Sequence, residues 1–121
     1  MKKLVGVSSH HEWEVRELRR DREFAIECLN LALESLNDPH ERGASLLMLR
    51  ALAEAYGGLA KIASEAGISR ESLYRSLSPK GNPTMKTLIA VITSMGLRLS
   101  VVEKDAVAKK RTRAKSSRKA A

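Results

Sequence analysis

Two short apolar-periodic segments meet at Gly67 within residues 59–83, LAKIASEAGISRESLYRSLSPKGNP, and this arrangement constrains the chain more than any other. In the first, Leu59, Ile62, Ala63 and Ala66 recur at helical spacing and leave Lys61, Ser64 and Glu65 for water. Gly67 makes a sharp turn, Ile68 plugs the core below it, and Ser69 has the hydroxyl an N-cap needs. The second segment sets Leu73 and Leu77 four apart on an inner face, with Arg70, Glu71, Tyr74 and Arg75 outside. The small Ala63 stands where two steeply crossing helices approach each other. A basic turn, Lys80-Gly81-Asn82-Pro83, follows. This order of parts predicts a helix-turn-helix, the unit that lays one helix in the major groove of DNA.

The surrounding sequence supplies further helices. Asp21 is an N-cap for a first long helix carrying Ala25, Cys28, Leu29, Ala32, Leu33 and Leu36, which Asn37-Asp38-Pro39 ends. A second begins at Asp38 or Pro39. Its later turns, LLMLRALAEA, are apolar almost all round and read as a central buried helix, stopped by Gly57 and Gly58. Thr84 caps the last helix, with Met85, Leu88, Ile89, Ile92 and Met95 as its core stripe and Gly96 as its stop. Leu97, Leu99 and Val101 alternate with polar residues, so a short strand is expected there, needing a partner such as Leu4–Val7 or a second subunit. The first twenty residues are ambiguous: Leu4, Val5 and Val7 suit an edge strand, Trp13–Leu18 a helical turn. Trp13 reads as a staple for that segment.

A chain of 121 residues has room for one modest core, and its apolar residues are mostly helix formers with only 3% aromatics. The expected organisation is an N-terminal extension (1–20), an all-α helix-turn-helix domain (21–102) and a basic tail (103–121). Of the formal net charge of +8, the tail holds +6, from eight Lys or Arg against two acids. It is too polar to offset its ordering entropy, so disorder is expected, either as a phosphate-binding arm or as a solubilising appendage. No apolar run approaches a membrane span, and no signal peptide is evident. The single Cys28 excludes an internal disulfide and fits a reducing cytoplasm. His10, His11 and His40 have no Cys partner at zinc-ligand spacing, and no phosphate loop or catalytic constellation occurs, so neither enzyme activity nor a cofactor is expected.

Arg70 and Arg75 are the candidates for DNA contact, because the guanidinium fork matches guanine O6 and N7 or a phosphate. Glu71 suits cytosine N4 or orients Arg75. Ser69 and Ser72 can donate to phosphate, and Tyr74 can reach phosphate or pack at the helix edge. Lys80 and Asn82 suit the sugar–phosphate backbone. The structural alternative is a solvated helix face with Glu71 and Arg75 as an i, i+4 ion pair. One such helix buries too little DNA for high specificity, so a homodimer is expected, with Leu97–Val101 or the Trp13 region as interface.

Ser69-Arg70-Glu71-Ser72-Leu73-Tyr74, followed by Leu77-Ser78 and Gly81-Asn82-Pro83, resembles the addiction-module antidote proteins, a HigA-like branch of the Cro/CI-type (lambda repressor-like) helix-turn-helix regulators. Leu29-Asn30, Ala32-Leu33, Asp38, Leu59-Ala60 through Gly67, Thr87-Leu88, Gly96-Leu97 and Leu99 extend the likeness over about residues 21–102. The resemblance implies a five-helix domain that binds operator double-stranded DNA and represses its own operon. It also implies an antitoxin that neutralises a RelE/ParE-like toxin encoded beside it. A stand-alone repressor, or an interaction module whose helix-turn-helix is not used on DNA, would read nearly the same.

Overall fold

The computed structural model describes residues 2–104, with side chains from His10 onward. Six α-helices follow one another: α1 (Lys2–Arg20), α2 (Arg22–Glu34), α3 (Arg42–Ala55), α4 (Leu59–Ala66), α5 (Arg70–Ser76) and α6 (Met85–Ser94). A 3-10 turn at Ser35–Asn37 closes α2. The expected tail lies, from residue 105, outside the described residues.

α3 is the centre of the bundle. Leu46, Leu49, Ala51, Leu52 and Ala53 are sealed from solvent, as its nearly continuous apolar run requires. It packs against α1 and α2 on one side and α4 and α6 on the other. Its start differs from the expectation. Asp38–Glu41 form a turn in which the Asp38 carbonyl accepts from the Glu41 and Arg42 N–H groups, so the helix begins only at Arg42. Pro39 falls inside that turn, ahead of the helix.

The N-terminal region is helical, which removes Leu4–Val7 as an edge strand. Its second half docks onto the bundle. Leu18 is fully buried, the Tyr56 hydroxyl donates to the Leu18 carbonyl at 2.7 Å, and Arg19 Nε donates to the Ala55 carbonyl at 3.2 Å. A guanidinium at the C-terminus of α3 satisfies a carbonyl left without a helical partner and meets the negative end of the helix dipole. Trp13 does not act as a staple. Its side chain is 54% exposed and stacks on His10, ring centroids 6.3 Å apart. Leu18, with Val15 beside it, carries the apolar contact instead.

Two further expectations are corrected. Among the described residues there is no strand: Leu97–Val101 runs past the end of α6 without a ladder partner, its last bond into the helix being Leu97 N–H to the Ile92 carbonyl at 3.2 Å. The core face of α6 is also rotated. Thr87, Ala90, Val91, Ile92 and Met95 are buried, whereas Met85 and Ile89 are exposed. Nearly every residue from Leu88 to Ile92 is apolar, so periodicity singles out no face and packing on α4 and α3 selects one.

Candidate nucleic-acid interface

The geometry of α5 begins with the turn before it. Gly67 has φ +71°, the left-handed conformation that costs a Cβ-bearing residue about 1–2 kcal/mol. With it, the Ile68 N–H reaches the Ala63 carbonyl at 3.0 Å and the Gly67 N–H reaches Ser64 at 3.2 Å. These two bonds constitute a Schellman cap. Ile68 is drawn against the core and the chain is redirected into α5.

Ser69 then caps α5, its Oγ accepting from the Ser72 N–H at 3.0 Å. The Ser69 hydroxyl donates in turn to Ser72 Oγ at 3.0 Å. Ser69 is therefore committed to the cap, and Ser72 keeps a free hydroxyl proton for an outside acceptor. Leu73 and Leu77 are fully buried and fix the helix rotation. Arg70, Glu71, Tyr74 and Arg75 all emerge on the exposed side.

These four side chains line a shallow groove of ≈ 490 Å³ with Leu59 from α4 and Glu54 from α3. Glu71 and Arg75 do not pair: among the described residues Arg20 and Glu17 form an ion pair and His11 is hydrogen-bonded to Glu54. Arg75 instead leans toward Ser72 Oγ, at 3.5 Å. Among the described residues, the guanidinium of Arg70 and the carboxylate of Glu71 take part in no hydrogen bond or ion pair.

Tyr74 is held from behind. The Arg50 guanidinium of α3 lies 4.2 Å from the centre of its ring, and Arg50 Nη1 donates to Ser78 Oγ at 3.3 Å. Ser78 Oγ closes the loop by donating to the Tyr74 carbonyl at 2.7 Å. The turn after α5 is fastened by Arg42, which donates to the carbonyls of Leu36 and Gly81 and to Asn82 Oδ1 at 3.1 Å. Asn82 is thus an anchor for the turn through its carbonyl, with its amide left to donate outward. Lys80 is exposed on the same turn.

The expected site residues divide accordingly. Arg70, Glu71, Tyr74 and Arg75 share one groove. Ser69 and Ser72 sit at its N-terminal end. Lys80 and Asn82 lie on the following turn. Sequence reasoning passed over Arg42 and Arg50, which support the site from α3. The only sequence signal was a lone Arg in the apolar run LLMLRALAEA. Glu54 was missed as well, and it brings a negative charge to the groove while contacting His11 of α1. Among the described residues no three His, Cys, Asp or Glu side chains gather as a metal site, and no helix is long and apolar enough to cross a membrane.

A family model described as "Probable addiction module antidote protein" matches residues 10–103. The chain belongs to this antidote family. The match begins within α1, at residue 10, and runs past the end of α6. An uncharacterized protein of Haemophilus influenzae is 46% identical over 43 residues, covering 36% of this chain. The match spans only 44% of that relative's length. No solved structure matches the chain.

Proposed function

We propose that the chain is the antitoxin of a type II toxin–antitoxin module, a cytoplasmic regulator that binds operator double-stranded DNA through α5 as a homodimer. In this reading it is a Cro/CI-type regulator that represses its own operon and neutralises a RelE/ParE-like toxin. The observation that carries DNA recognition is the groove in which Arg70, Glu71, Tyr74 and Arg75 are exposed together above Leu73 and Leu77. A Schellman turn at Gly67 and the Ser69 cap support the same reading, because they aim the helix without consuming those side chains. Arg70 and Arg75 contact base edges or phosphates, and Glu71 accepts from a cytosine or orients an arginine. Ser72, Tyr74, Lys80 and the Asn82 amide meet the backbone, with Ser69 holding the helix start.

The toxin partner rests on the antidote family alone, and the helices N-terminal to the reader provide the surface for it. Footprinting on the chain's own promoter tests the DNA reading: Arg70→Ala and Arg75→Ala should weaken protection without lowering the melting temperature. Footprints identical to wild type for both variants would sink it. Co-expression with the neighbouring small gene tests the partner. A neighbour that is neither toxic nor bound leaves a stand-alone repressor.

A further inference from the structure

Charge is segregated along the fold. Residues 10–60, from the second half of α1 to the start of α4, hold ten Asp or Glu against six Arg and no Lys. Residues 61–104 hold seven Lys or Arg against three Glu. Arg42 and Arg50 reach toward the other half, on the Gly81–Asn82 turn and on Tyr74, while Arg19 meets the end of α3 and Arg20 pairs with Glu17 on the surface of α1. Arg16 lies in the cleft with His11 and Glu54, and Arg22 reaches toward Gly96.

Among the described residues, the exposed Glu27 of α2 and Glu41 at the start of α3 take part in no ion pair. Between these helices runs a cleft of ≈ 310 Å³ lined by Cys28, Leu31, Ala32, Ala44 and Met48, with Glu41 at its edge. Phe24, Cys28 and Leu31 form an i, i+4, i+7 stripe along α2, and Leu31 is 65% exposed. Leu47 adds apolar surface from α3. Burial, with Glu14 and Glu27 nearby, pushes the Cys28 thiol up. An exposed apolar stripe rimmed by polar residues is the kind of surface that a partner covers. It shares no residue with the α5 groove.

We infer that the α2–α3 cleft docks a protein partner through an amphipathic segment whose apolar face covers Leu31 and Met48 and whose lysines or arginines meet Glu27 and Glu41. The inference rests on the antidote reading for the source of that segment, which is the toxin. Charge complementarity selects the occupant. A second copy pairing cleft to cleft would bring the same acids together and repel, and DNA is excluded by its sign.

The experiment uses the full chain, the purified product of the adjacent small gene and a promoter duplex. Leu31→Lys and Glu27→Lys/Glu41→Lys should each weaken the protein partner by about tenfold or more. Promoter affinity and melting temperature should stay at wild-type values, since these side chains are exposed. Raising the salt should weaken the wild-type complex. A partner that binds wild type and Leu31→Lys equally overturns the cleft while leaving the antidote reading intact. A complex indifferent to salt and to both glutamate reversals overturns the cationic occupant. A change in oligomeric state of the free Leu31→Lys chain makes the cleft a self-interface and overturns the proposal. No binding to wild type at all removes the antidote reading with it.

Discussion

The guanidinium of Arg50 lies over the ring of Tyr74, 4.2 Å from its centre, and ties the central helix to the exposed face of α5. Leu73 and Leu77 fix only the buried side of that short helix. Arg50 fixes the outer side, because the same side chain also donates to Ser78 Oγ beyond the helix end. A cation over an aromatic face contributes about 0.5–2 kcal/mol depending on desolvation. Arg50→Ala should therefore lower stability by about that amount and weaken promoter binding beyond it, because Tyr74 loses its backing. Arg50→Lys keeps the charge but not the planar contact, so it should recover affinity only partly. Urea melts and DNA titrations of both variants check this; wild-type DNA affinity in Arg50→Ala would refute it.

Docking of α1 is a second test. Leu18→Ala removes a fully buried side chain and should cost about 2–5 kcal/mol, as large-to-small core changes do. Tyr56→Phe removes the hydroxyl bond to the Leu18 carbonyl and should cost about 0.5–1.5 kcal/mol. Were α1 a loose appendage, Leu18→Ala would leave the urea midpoint unchanged.

Gly81 is required by space. A Cβ there would lie 2.2 Å from the Ser76 carbonyl oxygen and 2.5 Å from that of Arg75, both rigid backbone atoms. Gly81→Ala should displace the turn carrying Lys80 and Asn82 and destabilise by about 1–3 kcal/mol. Gly58→Ala meets no atom within 4 Å but must hold φ +88° with ψ 152°, a backbone region left almost wholly to glycine, so its cost should be about 1–3 kcal/mol. Thermal melts of the two separate steric from conformational cost.

The thiol of Cys28 has a pH signature. Burial, then Glu14 and Glu27, raise it above the ordinary 9.0, so the folded chain holds the thiol proton more tightly than the unfolded chain. That contribution to stability is complete below pH 9.0 and is lost as pH rises through the folded value. Wild type should lose more stability than Cys28→Ala between pH 8 and pH 10, measured by urea midpoints. Alkylation at pH 8 should be slower than for a free thiol. Equal pH slopes for the two proteins would contradict the shift.

The tail carries a prediction from charge alone. Deleting residues 104–121 removes eight Lys or Arg. If half of these meet phosphates, the slope of log K against log salt should flatten by roughly 3 to 4. Operator and random duplexes should weaken by similar factors. An unchanged slope would leave the tail a solubilising appendage.

Much of the site was legible because its determinants are local. Asp21, Ser69 and Thr84 each cap a helix by accepting from the N–H three residues on, a bond that short-range chemistry specifies. Leu59, Ile62, Ala63 and Ala66 are the buried residues of α4, and their spacing already marked one face. Gly67 announced its turn for the same reason. α5 was readable too, since Leu73 and Leu77 leave only one side for Arg70, Glu71, Tyr74 and Arg75.

Tertiary structure decided whatever depends on partners far along the chain. Tyr56 finds Leu18 across 38 residues, Arg42 finds Gly81 across 39, and Arg50 finds Ser78 across 28. No periodicity encodes such pairings, because a long side chain's target depends on which helices pack beside it. The choice of face in α6 is of the same kind: with apolar residues on several sides, only docking against α4 and α3 could select Val91 and leave Ile89 in water. The alternation of Leu97, Leu99 and Val101 is compatible with a strand, but a strand exists only when a neighbour supplies the other half of its hydrogen bonds. Local sequence chose where α2, α4, α5 and α6 begin. Packing chose which faces meet and which side chains hold the exposed face of α5 in place.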